Sequence, residues 1–346
     1  MGQLISSNRN QFVDFLKGLC IISVILTHCF PYHFKQVIGF ALWGGMAVPL
    51  FLTLQSYHFF RKYKKDNTKT YSLRKIVSRI LIPFILTNAI ILCFFIADGK
   101  DFWEIIKNAV ICGGLGPGSY YIWIYLQFVC LLPLWLKFIK LLGGGVKTII
   151  LAIVLSQLIE FMCIFINPQE YLYRLCFFRY FLLLNIGLIW SENNICSSIS
   201  KKWTAISILS LIVLIALEYF EFNTFPILFE SDWRVYHWPI YFYSGFLLPR
   251  IIWKLFTHCS TIFKIKICRI GMYSFEIFLT QMIVFAILPK ESFESIFDSQ
   301  NINSIVYVLI TFTCSVLPVV LLKKYKETVL LRNVFDKIYS KYFKKS

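Results

Sequence analysis

Residues 11–30 read QFVDFLKGLCIISVILTHCF. Twenty residues of this apolar content are the length of a helix that crosses a bilayer. Three polar side chains interrupt the run, Asp14 and Lys17 near its start and His28 near its end. A charged group inside a span costs about 3 kcal/mol on insertion scales, so each one calls for a task or a partner. Lys17 and His28 stand eleven residues apart. On an α-helix that spacing is a net rotation of roughly 20° and a rise of roughly 16 Å. A polar stripe therefore runs along one face, from near one membrane surface almost to the other.

The remainder of the chain repeats segments of this length. Of 346 residues, 58% are hydrophobic, with a mean hydropathy of +0.67. The expected fold class is all-α, a polytopic integral membrane protein with about ten transmembrane helices. The apolar runs fall at 11–31, 36–60, 77–97, 121–141, 147–166, 171–190, 203–220, 236–256, 268–289 and 303–322. Aromatics such as Trp233, Tyr236 and Trp238 at segment ends suit interfacial belts. No repeat or separate soluble domain interrupts the pattern.

Charge orients these spans. Basic residues gather in alternate loops: Arg61 to Lys75, then Lys137, Lys140 and Lys147, Lys201 and Lys202, and Lys254 to Arg269. The opposite loops carry Asp98, Asp101, Glu218, Glu221, Glu230, Asp232, Glu291 and Glu294 with few cations. The positive-inside rule puts both termini in the cytoplasm, His28 toward the outer face and Lys17 toward the inner one. The net charge of +17 is thus an orientation signal, and no nucleic-acid partner is expected. Residues 1–322 form one transmembrane domain. Residues 323–346 alternate Lys and Arg with Leu331, Val334, Phe335, Ile338 and Tyr342, which reads as a basic amphipathic tail lying on the anionic inner leaflet. Membrane lipids are therefore expected partners.

The eleven cysteines include no CxxC pair and no ligand spacing with histidine, so no metal is expected. The first apolar run holds charges and lacks a small-residue cleavage site, so it reads as a retained span. Met1–Ser6 fits the loose myristoylation pattern, which is short enough to arise by chance.

Several residues can carry chemistry. Lys17 can snorkel to the inner interface with Asp14 as its partner three residues away, or it can serve the stripe. His28 is one of five histidines, and a neutral imidazole is the usual general base near pH 7. Arg74, Lys75 and Arg79 lead into the third span ahead of Pro83. Arg79 lies inside the apolar run, where a guanidinium suits a phosphate at the mouth of a cavity. The glycine-rich stretch Gly113–Ser119 lacks the lysine of a phosphate loop and reads as a compact outer loop. Tyr121, Trp123, Tyr125 and Gln127 follow it, either as packing or as pocket wall. Glu160 and Arg179 fall at matched depth in spans five and six, either as a structural ion pair or as part of an acceptor site. Arg174 is the weaker cation there. Glu276 is buried by position, with Lys17 a possible partner.

The stretch Asp14-Phe15-Leu16-Lys17-Gly18, followed by Leu26-Thr27-His28, resembles the opening of acyltransferase family 3, which begins with Arg, ten residues and His. Lys17 takes the place of the Arg. Val48 to Tyr57 is similar to the family's second span, and Arg79-Ile80-Leu81-Ile82-Pro83 to its third. The stretch from Gly118 through Trp123, Gln127 and Pro133 resembles the fourth. Gly271 to Leu279 resembles a late span, with Gln281 where a His often follows. A second basic residue three before Arg79 is expected, and Ile76 stands there.

The resemblance covers essentially the whole chain and makes residues 1–322 an acyltransferase-3-like domain. It implies an O-acetyltransferase-like enzyme of the inner (cytoplasmic) membrane of a bacterium. Such an enzyme moves an acyl group, usually acetyl, from cytoplasmic acyl-CoA to a hydroxyl of a surface glycan or lipid-linked sugar. Acetyl-CoA or another acyl-CoA is then the donor substrate. On that reading His28 is the base, and Lys17 holds the polar path or contacts the donor. Arg79, with Lys75 and Arg74, binds coenzyme A phosphate, while Tyr121, Trp123, Gln127, Arg179 and Glu160 lie toward the acceptor. A transporter or flippase for a lipid-linked sugar or polysaccharide uses the same polar residues and is the alternative. Against it, no broken helices recur in matched positions. Oligomeric state has no signature in the sequence.

Overall fold

A computed structural model describes residues 10–66, 72–144, 146–166, 175–177, 180–192, 201–219, 237–293 and 300–327 of the chain. All regular structure among them is helical. The helices are α1 Gln11–Cys29, α2 Tyr32–Val37, α3 Phe40–Trp43, α4 Ala47–Asp66, α5 Leu73–Ile76, α6 Ile82–Ala97, α7 Phe102–Cys112 and α8 Tyr120–Leu142. They continue as α9 Val146–Ile166, α10 Phe181–Glu192, α11 Lys201–Tyr219, α12 His237–Phe242, α13 Leu248–His258, α14 Thr261–Met272, α15 Ser274–Ile287 and α16 Gln300–Glu327.

Helix α1 is the central post. Asn10 starts it, its side-chain oxygen accepting from the Phe12 amide at 3.1 Å. The helix packs against α4, α13, α14, α15 and α16. It is buried along 61% of its apolar window, against 17% for the span Arg74–Ala97. Two apolar cores lie on its two sides. Phe12, Val13, Leu16 and Cys20 belong to one, with α4, α8 and α10. Ile21, Ile25 and Cys29 belong to the other, with α6, α15 and α16. On the periphery, α6 exposes Ile85, Leu86 and Phe94, and α16 exposes Ile305, Leu309 and Leu321. Apolar surface of that extent fits lipid as its solvent.

Lipid tails are as apolar as leucine, so helices in a bilayer are held by close packing and polar contacts. The tightest crossings here use glycine. A β-carbon on Gly271 of α14 would overlap the Asp14 carbonyl and the Gly18 amide of α1. One on Gly187 of α10 would overlap Ser56 of α4. The Ser56 hydroxyl donates to the Leu184 carbonyl at 2.8 Å, so the small pair also bonds across the interface.

Two π-turns, Val77–Leu81 and Tyr243–Leu247, each come just ahead of a proline, Pro83 and Pro249. Proline has no N–H to give the carbonyl four residues back, and its ring crowds that carbonyl. Widening the turn relieves the crowding. The carbonyl that Pro249 leaves without a helical donor is Gly245, and the Trp190 indole N–H donates to it at 2.8 Å.

The membrane character expected from composition holds, with differences in where the helices run. Among the described residues, Gln11–Cys29, Arg74–Ala97, Tyr120–Leu142 and Ile302–Lys323 are long and apolar enough to cross a bilayer. A fifth candidate is the pair Thr261–Met272 and Ser274–Ile287, bent by 73° where one straight span 268–289 was expected. Shorter apolar helices accompany them at Val146–Ile159, Phe181–Glu192 and Lys202–Val213. The expected span 36–60 is broken at its start. Gly39 takes a left-handed φ of 57° and a 3₁₀ turn fills Gly44–Met46, so the long helix begins only at Ala47. Helix α7 was expected as loop. Asp101 caps it, accepting from the Glu104 amide at 2.8 Å, and the Asp-x-x-Glu spacing was the available signal. Of the tail, only residues up to Glu327 are described, as the end of α16; Leu331 to Tyr342 and the Met1–Ser6 pattern lie outside the described residues.

Candidate active site

A cavity of about 1100 Å³ opens between the two cores. Val24, Phe51 and Tyr121 line it and pack against both cores. Helix α1 presents Lys17, Ile21, Val24 and His28 to it. Those positions advance by four, three and four residues, one face of a helix. Lys17 and His28 therefore share the cavity, with two apolar turns between them.

At the His28 end, the imidazole meets Phe285 of α15 edge-to-face, with ring centroids 5.5 Å apart. Gly44, Gly45 and Met46 of the 3₁₀ turn wall this region, followed by Pro49 of α4. The Gly113–Ser119 loop packs as a compact unit against Phe84 and Asn88 of α6 and Phe278 and Met282 of α15. Gly114 and Gly116 have φ of 139° and 101°, values L-residues rarely adopt. The Asn88 side-chain oxygen accepts from the Leu115 amide, and the Ser119 hydroxyl donates to Cys112 at 3.1 Å. Gly118 lines the cavity with Phe278 against it. Outside the spans, Lys35 of α2 has its ammonium held below the usual lysine value, by burial first and then by Lys290.

At the Lys17 end, Arg79 enters the lining from the π-turn that Pro83 imposes. Arg74 and Lys75 are exposed and stand outside the lining, one turn before it. Glu276 and Lys323 join Arg79 and Lys17. The Lys323 ammonium sits 2.5 Å from a Glu276 carboxylate oxygen and 5.6 Å from the centre of the Tyr273 ring. Glu276 thus has Lys323 of the last helix as a partner, a residue the sequence reading had assigned to the tail.

The middle of the cavity is aromatic and amide-rich. Tyr121 is enclosed by Phe278 at 6.0 Å and Phe51 at 6.1 Å. Gln55 of α4 donates to the Tyr125 carbonyl at 3.0 Å. His58 lies one turn on, with Tyr180 and Tyr241 across the space. Val48, Phe51, Gln55 and His58 repeat at three- and four-residue intervals, so one face of α4 could have been read from the sequence. Tyr180, Tyr241 and Lys323 come from distant elements and carried no such signal.

Other candidates are placed elsewhere. The Trp123 indole donates to the Gly113 carbonyl and anchors the glycine loop. Gln127 donates to the Leu175 carbonyl at 2.6 Å and accepts from the Phe177 amide at 3.1 Å. Both therefore serve backbone and are not among the lining residues. Glu160 is on α9, but its side chain, like Arg174 and Arg179, lies outside the described residues. The nine described cysteines are free thiols.

Comparison with known proteins adds one finding. A family model described as an acyltransferase domain, that of acyltransferase family 3, matches residues 10–324. No curated protein and no solved structure matches the chain.

Proposed function

Since the chain belongs to acyltransferase family 3, a family of membrane acyltransferases, we propose that it transfers an acyl group, acetyl foremost, from acyl-CoA on the cytoplasmic side to a hydroxyl of an extracytoplasmic glycan or lipid-linked sugar. The observation that carries this reading is that Lys17 and His28 line one cavity from the same face of α1, about three turns apart. Cations gather at one end, where a phosphate-bearing donor from the cytoplasm would enter. A neutral base stands at the other, where a hydroxyl from outside would arrive. The length between them, roughly 16 Å, suits the long pantetheine arm that carries the thioester.

The chemistry follows from those positions. The His28 imidazole takes the acceptor hydroxyl's proton as its oxygen attacks the thioester carbonyl. The tetrahedral oxyanion collapses and expels the thiolate, and the imidazolium returns the proton to sulfur. Ester and thiol form from alcohol and thioester with no net proton. Arg79 holds donor phosphate, and Lys17 carries the positive end of the path inward. Tyr121 supports the reacting region. Arg74 and Lys75 attract the anionic donor from outside the lining. The proposed setting is a bacterial inner membrane with both termini cytoplasmic, the orientation that the loop charges support.

Labelled acetyl-CoA supplied to membranes with and without the chain tests the reading. Label entering surface glycan only when the chain is present supports it. Unchanged acetylation with altered glycan export would replace it with a transporter.

A further inference from the structure

Resting on that reading of the donor, we infer that Lys323 is a further ligand for the donor's phosphates and that Glu276 is its resident counter-ion, displaced when the donor binds. Among the described residues, the lining of the cavity holds three cationic side chains, Lys17, Arg79 and Lys323, and one carboxylate, Glu276. All four are at the same end. Lys17 stands beside Gly18, which crosses α14 where that helix ends. Glu276 is in the first turn of α15, just past the bend, and α15 packs against α1, α6 and α16.

The bend supplies a second feature. Breaking the helix between Met272 and Ser274 creates a fresh N-terminus at the cavity, and Ser274, Phe275 and Glu276 line it. This start carries no side-chain cap. A helix N-terminus with uncapped N–H groups favours an anion, and here three cations share the same wall. Glu276 supplies that anion while the site is empty. Its carboxylate lies at the third helical position and meets Lys323 at 2.5 Å.

A phosphate has more charge and more acceptor oxygens than a carboxylate, so it competes for both Lys323 and the helix start. The pair is suited to exchange, because its side chains are 35% and 40% exposed rather than sealed in the core. Lys323 can turn from Glu276 to phosphate by rotating its flexible stem over the Tyr273 ring. Glu276 then sets a threshold: the cavity keeps a neutralised pair until a polyanion arrives.

Calorimetric titration of coenzyme A into the detergent-solubilised full chain tests this. Glu276→Gln should tighten coenzyme A several-fold, by removing the competitor while keeping the side chain's shape. Lys323→Gln should weaken it about tenfold, the loss of one charge-assisted bond, and Lys323→Arg should retain binding. Wild-type affinity in both Gln variants, with only their thermal stability lowered, would make the pair a structural staple and overturn the inference while leaving the donor reading intact. Weakening in Glu276→Gln equal to that in Lys323→Gln would make Glu276 a positioner of the lysine and overturn the counter-ion role. No binding of coenzyme A to the wild-type chain would remove both readings. Tightening of a lipid pyrophosphate but not of coenzyme A by Glu276→Gln would assign the site to the acceptor and overturn the inference as well.

Discussion

Lys17 shows how far a side chain can be read before its surroundings are known. The eleven-residue interval puts it on the face of His28, and the cavity lies along that face. The interval says nothing of Arg79, Glu276 and Lys323, which reach the same end from three other elements. An ammonium keeps the charge of the family's guanidinium and loses its planar fork. Lys17→Arg should therefore keep most transfer activity, while Lys17→Met should lower it by tenfold or more with expression unchanged. Activity assays on matched membrane amounts read both. Gln127 gives the opposite lesson. Its place in a resembling stretch suggested acceptor contact, yet both ends of its amide hold the backbone of residues 175–177. Gln127→Ala should lower the thermal midpoint, costing about 1–3 kcal/mol for the groups left unpaired, and leave the acceptor KM close to wild type. A raised acceptor KM at unchanged stability would return Gln127 to the binding site.

At the scale of elements, prolines and glycines decide where the helices bend and how near they come. Runs of apolar residues locate the helices well, because lipid exposure and burial both favour them. They do not show a break inside a run. The turn at Gly39 to Met46 and the bend at Tyr273 fall inside apolar runs, so the expected straight spans 36–60 and 268–289 differ from the observed ones. The Trp190 indole and the Gly245 carbonyl form a contact between helices across 55 residues of sequence. Trp190→Phe should cost about 1–2 kcal/mol, since it leaves the Gly245 carbonyl without its donor, and should be visible as a lower melting temperature in detergent. Gly271→Ala should cost about 1–3 kcal/mol by overpacking the α1–α14 crossing. Gly143 offers the comparison, because a β-carbon there meets nothing within 4 Å. Its φ of 74° still makes alanine strained, so Gly143→Ala should lose stability through backbone strain alone. A fully stable Gly271→Ala variant would contradict the close crossing.

On the scale of the whole molecule, two apolar cores flank a cavity with an aromatic middle and charged or polar ends, and α1 belongs to both. Two cores let a membrane protein enclose polar residues without exposing them to lipid, where each would be costly. The composition showed that the chain lives in a bilayer, and the order of short motifs showed its family. Neither showed that Lys17 and His28 would line one cavity, since that follows from how α4, α8 and α15 pack around α1. Transfer across the bilayer requires that cavity to bring donor and acceptor together between its ends. The direct measurement uses sealed proteoliposomes with labelled acetyl-CoA on one side and a glycan acceptor on the other, comparing wild type with His28→Ala. The prediction is transfer across the bilayer by the wild-type chain and a loss of 10²–10⁴-fold, the usual worth of a general base, in a His28→Ala chain that still inserts. Transfer at the wild-type rate without the imidazole would contradict it.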